Sequence, residues 1–435
     1  MTKLNSPRSY ALGSTSTIAG QKCKRHRTSD LGPRTLLCLT FLIFNLTLVL
    51  GVSALAFDFG SSPVITTIGT DAEKSTALSS QIGDLSLGFI KVGSKEVTNL
   101  SWRPNFKLGV LGLGLDINYA LGEEKPNGYE NIVLRYVEYD DGSRGLRYGI
   151  IESLTWGHGL LIKNYTNWLA GLILLNNDQL ALLGYATLQE RYVVRGLWSK
   201  TGVMGLRLEE KVNPMLKLGQ TYIVDNDGVM LSGTTEVQKV AGVGLDATVP
   251  LPLNFEAFAE WAQLVGHGSG FSTGLSWAYD LLVADASFLA AYRMLDNGFV
   301  PGYFGQDYET NPINLTSAEA TGNIKNGYVT QLGINALGLA ALKVAYENYN
   351  DSDSASVMAD LFAKLPQDVE VTGYYKQPNF TNFRSLSLEQ GAIMGGSIAY
   401  PVNPYTRVVV HYKKIYNPDT ASVEESQYYE LRFSF

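Results

Sequence analysis

The chain has 435 residues, of which 34 are basic and 41 acidic, and glycine (44) and tyrosine (25) are abundant. The acidic balance excludes a nucleic-acid binder, which needs a basic footprint. The only cysteines are Cys23 and Cys38, so the remainder of the chain can form neither a disulfide framework nor a thiolate site.

At the amino terminus, Lys22, Lys24, Arg25, Arg27 and Arg34 precede an apolar run over 36–55 that ends in Ala54-Leu55-Ala56. A basic region, an apolar stretch and a small-x-small ending predict a signal peptide over 1–56, cleaved after Ala56. This leader holds 7 basic and 1 acidic residue, leaving a net charge of −13 on the rest. Residues 57–84 are small and polar and are expected to lead into the main domain, which occupies 85–435.

No apolar stretch beyond Ala56 is long enough for a spanning helix; 168–175 is among the longest. The chain instead supplies segments of strand-like alternation at 106–119, 130–139, 216–224, 241–249, 255–264 and 271–279. The series continues at 328–337, 339–349, 355–365, 369–376, 392–400, 406–416 and 427–435. Between them stand dipeptides that accept positive φ, such as Asp141-Gly142 and Asp227-Gly228, and prolines that punctuate rather than interrupt. This pattern predicts an all-β fold, a transmembrane antiparallel up-and-down β-barrel of roughly 16–18 strands. The longest turn-like interval, 304–326, is expected to be an outer loop or an inward-folded constriction.

The chain ends in Tyr428-Tyr429-Glu430-Leu431-Arg432-Phe433-Ser434-Phe435. Tyr429, Leu431, Phe433 and Phe435 share one strand face, as a lipid-facing closing strand requires. This ending resembles the terminal assembly signal of Gram-negative outer-membrane proteins. Glu430 and Arg432 fall on the opposite face, and by the same alternation Arg407, His411 and Lys413 line that side of the preceding strand; these five are the candidate lumen-facing residues.

Catalytic and metal signals are sparse. His158 and His267 each stand in Gly-His-Gly, the sequence of a turn, without cysteine or a spaced carboxylate beside them. Asp225-Asn226-Asp227-Gly228 and Asp351-Ser352-Asp353-Ser354 lack the later ligands of a calcium loop and read as hairpin tips. Ser397 or Ser434 with His411 is the only arrangement from which a lipid hydrolase could be built, and no nucleophile elbow accompanies it. No catalytic residue, cofactor or metal ligand is assigned.

Three stretches, GLRYGIIESLTWGHGLLIKNYTN at 145–167, LKLGQTYIVD at 216–225 and GFVPGYFGQDYE at 298–309, are similar to a group of outer-membrane β-barrel proteins of diderm bacteria. The resemblance implies an outer-membrane barrel and brings no substrate or catalytic residue with it. Together these readings predict a porin-like passive channel for small hydrophilic solutes in the bacterial outer membrane. Its expected partners are outer-membrane lipid and lipopolysaccharide, the barrel-assembly machinery and, in a homo-oligomer, further copies of itself, and no nucleic acid. The competing expectations are a structural or surface-interaction barrel without conductance and an outer-membrane lipid hydrolase.

Overall fold

The computed structural model describes residues 84–434 apart from 93–94, 122–130, 152, 168–178, 231–236, 282–283, 297, 306–307, 310–312, 316–324, 337–338, 351–354, 381–391 and 418–421. The leader, residues 57–83, the apolar run at 168–175 and Phe435 therefore lie outside the described residues.

Among the described residues, twenty-one strands join in one antiparallel sheet. Two of them, Lys95–Arg103 and Asn105–Leu108, pair with the same neighbour, Leu111–Leu121, in one continuous register and part only at Pro104. Proline has no N–H to give to a ladder, so it splits one long strand into two. The sheet thus has twenty staves. It closes on itself: Asp84–Val92 pairs with Lys95–Arg103 on one side and with Ser422–Ser434 on the other, setting Leu85 opposite Phe433 and Leu87 opposite Leu431. Closure leaves no unpaired strand edge.

The ring exceeds the sixteen to eighteen strands expected from sequence. Ala181–Leu188, Tyr192–Ser199 and Val203–Asn213 are strands that the alternation left unmarked. The first two are joined at Gln189-Glu190, where both residues adopt left-handed φ (52° and 55°) although neither is the glycine or asparagine that usually signals such a turn. In the other direction, the run over 106–119 is not one strand. It folds back at Gly109-Val110, with Gly109 at φ 60°, so that Leu108 faces Leu111.

The connections sort by length between the two ends of the ring. At one end, neighbouring strands are joined by tight turns, such as Met215 with its neighbour between Val203–Asn213 and Leu216–Asp225, or Pro366–Asp368 ahead of Val369–Phe380. Both ends of the ring's chain, Asp84 and Ser434, also lie there, directly opposite each other. The other end carries the long connections, among them 150–180, 226–240 and 296–324.

The two faces differ sharply in chemistry. Directly opposed residues on adjacent strands share a face, so the register traces each face around the ring. One rung reads Glu209, Gly219, Asp246, Glu260, Ser272 and Arg293 across six strands. The opposite face is apolar and uncovered: Leu206 and Ile398 are each 52% exposed, and Leu332 and Leu361 each 45%. Exposed aromatics bound this apolar zone at both ends. Tyr119, Trp198, Tyr222 and Tyr328 lie toward the long connections, and Tyr139, Tyr279, Tyr400 and Tyr405 toward the tight turns.

Candidate functional site

The long connections do not simply cap the ring, because two of them pack against its polar face. Leu154–Trp156, Ile162–Tyr165 and Phe304–Gly305 form a small separate sheet, with Phe304 beside Ile162 in parallel register. Leu160, Ile162, Tyr165, Phe304 and Leu315 are completely buried. With Trp156, Leu161, Phe299 and Tyr308 they make one apolar core with wall residues that include Leu197, Ile223 and Leu264. Small wall residues seat the large side chains of the insert. A β-carbon at Gly205 would lie 2.8 Å from the Trp156 ring, one at Gly242 2.7 Å from Leu161, and one at Gly270 2.6 Å from Phe299. Of the two expectations for 304–326, the inward fold agrees with its described residues Phe304, Tyr308 and Leu315, which are buried in this core.

The Trp156-Gly157-His158-Gly159 turn is where the insert is pinned to the wall. The buried Glu260 carboxylate accepts hydrogen bonds from the backbone N–H of His158 (3.2 Å) and of Leu160 (3.1 Å). Gly157 holds φ 65°, and a β-carbon there would sit 2.5 Å from the Glu260 carboxylate, so both backbone and space demand glycine. The His158 ring stacks on Phe258 at 3.8 Å with 10° between planes, and its Nε2 lies 2.9 Å from Thr248 Oγ1. Burial lowers the imidazole pKa to about 4, so the ring is neutral at neutral pH. Further anchors follow the same plan. Tyr308 donates to Asp225 at 2.7 Å, while Tyr165 and Thr201 both donate to Glu309, Thr201 at 2.8 Å. Burial pushes the Tyr308 phenol well above its ordinary range, which keeps it a donor.

Beside the pinned turn, Arg207 ties three strands together. Its guanidinium grips Asp246 with two bonds (2.7 and 3.0 Å), meets Glu209 at 2.7 Å and donates to Thr221 at 2.8 Å. Asp246 stands two strands away, and the guanidinium crosses Gly219 to reach it; a β-carbon at Gly219 would be 2.4 Å from both partners. Paired charges of this kind on the inner face leave the polar groups satisfied without water.

The residues singled out from the sequence lie elsewhere on the ring. Arg407, His411, Lys413, Glu430 and Arg432 occupy one face of the last two strands. His411 Nε2 is 2.9 Å from Glu430, Arg432 Nε 3.1 Å from the same carboxylate, and Arg407 reaches across a strand to Glu370 at 2.7 Å. Lys413 pairs with Ser426 in the backbone register. Tyr429 is exposed on the other face, with Leu431 and Phe433 in its row. Ser397 faces His411 in register, and its hydroxyl lies 2.8 Å from that of Thr372; His411 is engaged by Glu430. Among the described residues no three His, Cys, Asp or Glu side chains gather as a metal site.

Glu260, Arg207 and Asp246, which carry several hydrogen bonds and ion pairs each, were not marked by sequence reasoning. A partial signal was present. In FEAFAEWAQL, Glu256 and Glu260 share a face with Phe258, and carboxylates recurring on one face of a strand announce a polar interior. The turn reading of the Gly-His-Gly at His158 agrees with its geometry.

No protein-family model matches the sequence, and no curated protein is similar to it. Among solved structures, OccK11 (OpdR) of Pseudomonas aeruginosa aligns with 80% of this chain and 94% of its own, at 9% identity and a TM-score of 0.38. Wzi, an Escherichia coli outer membrane protein described as a carbohydrate-binding β-barrel involved in group 1 capsule assembly, aligns over 84% of this chain and 87% of its own, at 11% identity and a TM-score of 0.39. A BenF-like porin from Pseudomonas fluorescens Pf-5 aligns over 81% and 98%, at 10% identity and a TM-score of 0.36.

Proposed function

We propose that the chain is an outer-membrane β-barrel acting as a passive channel for small hydrophilic solutes, narrowed by its own inserted connections. One observation carries this reading. The sheet closes into a ring whose outer face is apolar between two aromatic belts and whose inner face bears ion pairs. In water such an outer face would be a large unsatisfied apolar surface; in a bilayer it is what solvation requires. Tight turns at one end and long connections at the other match the asymmetry of barrels inserted from the periplasm.

Purified protein in a planar bilayer is expected to give stepwise, ohmic conductance. A second reading, a structural barrel whose interior is sealed, is favoured by the buried apolar core of the insert. A correctly folded barrel, recognised by heat-shifted migration in detergent gels, that passes no current at any voltage would establish the sealed barrel in place of the channel. The row Tyr429, Leu431, Phe433 and Phe435 is proposed as the signal read by the assembly machinery. Deleting Phe435 is then expected to lower the amount of barrel in the outer membrane severalfold; unchanged levels would remove that role.

A further inference from the structure

Two tyrosines of the inner face lie along the wall instead of pointing across the lumen. Tyr136 stands directly opposite Gly114, which stands opposite Asn105, and the Tyr136 hydroxyl donates to the Asn105 side-chain oxygen at 3.3 Å. Tyr185 repeats the arrangement across Gly145, donating to Asp140 at 2.7 Å. Each ring thus spans from its own strand to the second one over, and the glycine between makes room for it. A β-carbon at Gly114 would lie 2.5 Å from the Tyr136 ring, and one at Gly145 2.2 Å from the Tyr185 ring. Anchored at both ends, the rings are in place before any solute arrives.

The register places both rings beside the insert. Glu138, Arg147, Leu183, Leu197 and Gly205 form one rung; Gly205 seats Trp156, and Leu183 packs on the insert's core. Tyr136 and Tyr185 take the next inward positions on either side of this rung, with Arg147 on the strand between them. The wall is open to water here, since the Arg147 and Arg195 side chains are 38% and 39% exposed on the inner face. The Arg147 guanidinium stands over the Tyr136 ring, 4.5 Å from its centre, and pairs with Glu138 at 3.4 Å. Arg195 stands 6.0 Å from the centre of the Tyr185 ring and pairs with Glu209 at 3.3 Å. Both guanidiniums have a carboxylate partner, so beside each ring they offer hydrogen bonds more than a pull on ions of one sign.

We infer that Tyr136 and Tyr185 are stacking platforms for neutral oligosaccharides passing the insert. This deepens the channel reading and rests on it. A sugar ring has an apolar C–H face and a hydroxyl edge; the tyrosine rings meet the first, and Asn105, Asp140, Arg147 and Arg195 the second. The spacing argues for a chain of sugars over a single one. The two tyrosines sit two strands apart, opposite Gly149 and Gly145 of the strand between them. At ordinary sheet spacings their backbones are roughly 16 Å apart, so one sugar covers one platform and a short chain covers both.

The experiment adds maltohexaose, cellohexaose or chitohexaose to the full-length barrel in a planar bilayer and follows the ion current. At least one of them is expected to block saturably, with glucose roughly tenfold weaker and polyethylene glycol of the same size not saturating. Tyr136→Ala or Tyr185→Ala should raise the half-blocking concentration roughly fivefold. Tyr185→Phe keeps the ring and should stay closer to wild type. Block by none of the three sugars beyond that of the polymer, or alanine variants with the wild-type half-block, overturns the inference while leaving the channel intact. A folded wild-type barrel without conductance overturns the channel reading. Calorimetric titration of the same sugars into the detergent-solubilised barrel then decides the platform: heat lost in Tyr185→Ala supports it, and heat that is absent or unchanged in that variant overturns it. Heat-shifted migration identifies folded variants, and the comparison of sugar with polymer on wild type decides the matter if a variant does not fold.

Discussion

Glu260→Ala is expected to release the insert from the wall and raise the conductance of the barrel. The carboxylate satisfies two backbone N–H groups, those of His158 and Leu160, in a place from which water is largely excluded. An unsatisfied buried donor costs about 1–3 kcal/mol, so losing both weakens docking by ~3 kcal/mol. On that scale the undocked form becomes roughly a hundredfold more populated. The effect has two readouts: larger or noisier current steps, and faster protease cleavage within 150–180. Glu260→Gln retains an oxygen that can accept from the same donors and should fall between wild type and alanine. Unchanged current and cleavage in the alanine variant would show that the apolar seats at Gly205, Gly242 and Gly270 hold the insert without the carboxylate.

Arg207→Ala is expected to give the largest loss of stability among single substitutions in the ring. Arg207 and Asp246 are 5% and 7% exposed, so removing the guanidinium strands a buried carboxylate whose two bonds it supplied. Breaking a buried pair by removing one partner costs about 3–5 kcal/mol. Glu209 suffers less, since Arg195 lies 3.3 Å away and remains to pair with it. The temperature at which the folded band converts to the unfolded one in detergent gels should fall sharply. Replacing both partners, Arg207→Met with Asp246→Leu, should recover much of the loss, because no charge is then buried alone. If the single substitution leaves that temperature unchanged, the three-strand tie contributes little to holding the wall.

The contrast between these two sites and the terminal strands shows what sequence reasoning reaches. Tyr429, Leu431 and Phe433 could be set apart from Glu430 and Arg432 by counting alone, because side chains of a strand alternate whatever the strand pairs with. The same local rule found Leu216–Asp225, Phe255–Leu264 and Thr406–Asn417. It passed over Tyr192–Ser199 because Gln189-Glu190 turns the chain without glycine, asparagine or proline, and it ran through Gly109-Val110 because alternation does not register a reversal of direction. The relation of Arg207 to Asp246 was out of reach altogether. Those residues are 39 positions apart and meet only because an intervening strand presents Gly219 between them. Glu260 and His158 are separated by 102 positions.

The sequence by itself determined an all-β chain of alternating strands and its aromatic ending. Each of these is a property of a short segment, set by backbone sterics and by the period of side chains along it. The tertiary structure decided the number of staves, the closure of the first strand on the last, and the packing of Leu154–Trp156, Ile162–Tyr165 and Phe304–Gly305 against the polar face. It also decided which charges share a rung. These depend on register, and register is fixed jointly by every pair around a closed ring: a slip of one residue in any pair would turn that strand's apolar face inward. The meeting of Arg207 and Asp246 across Gly219 follows from that joint condition.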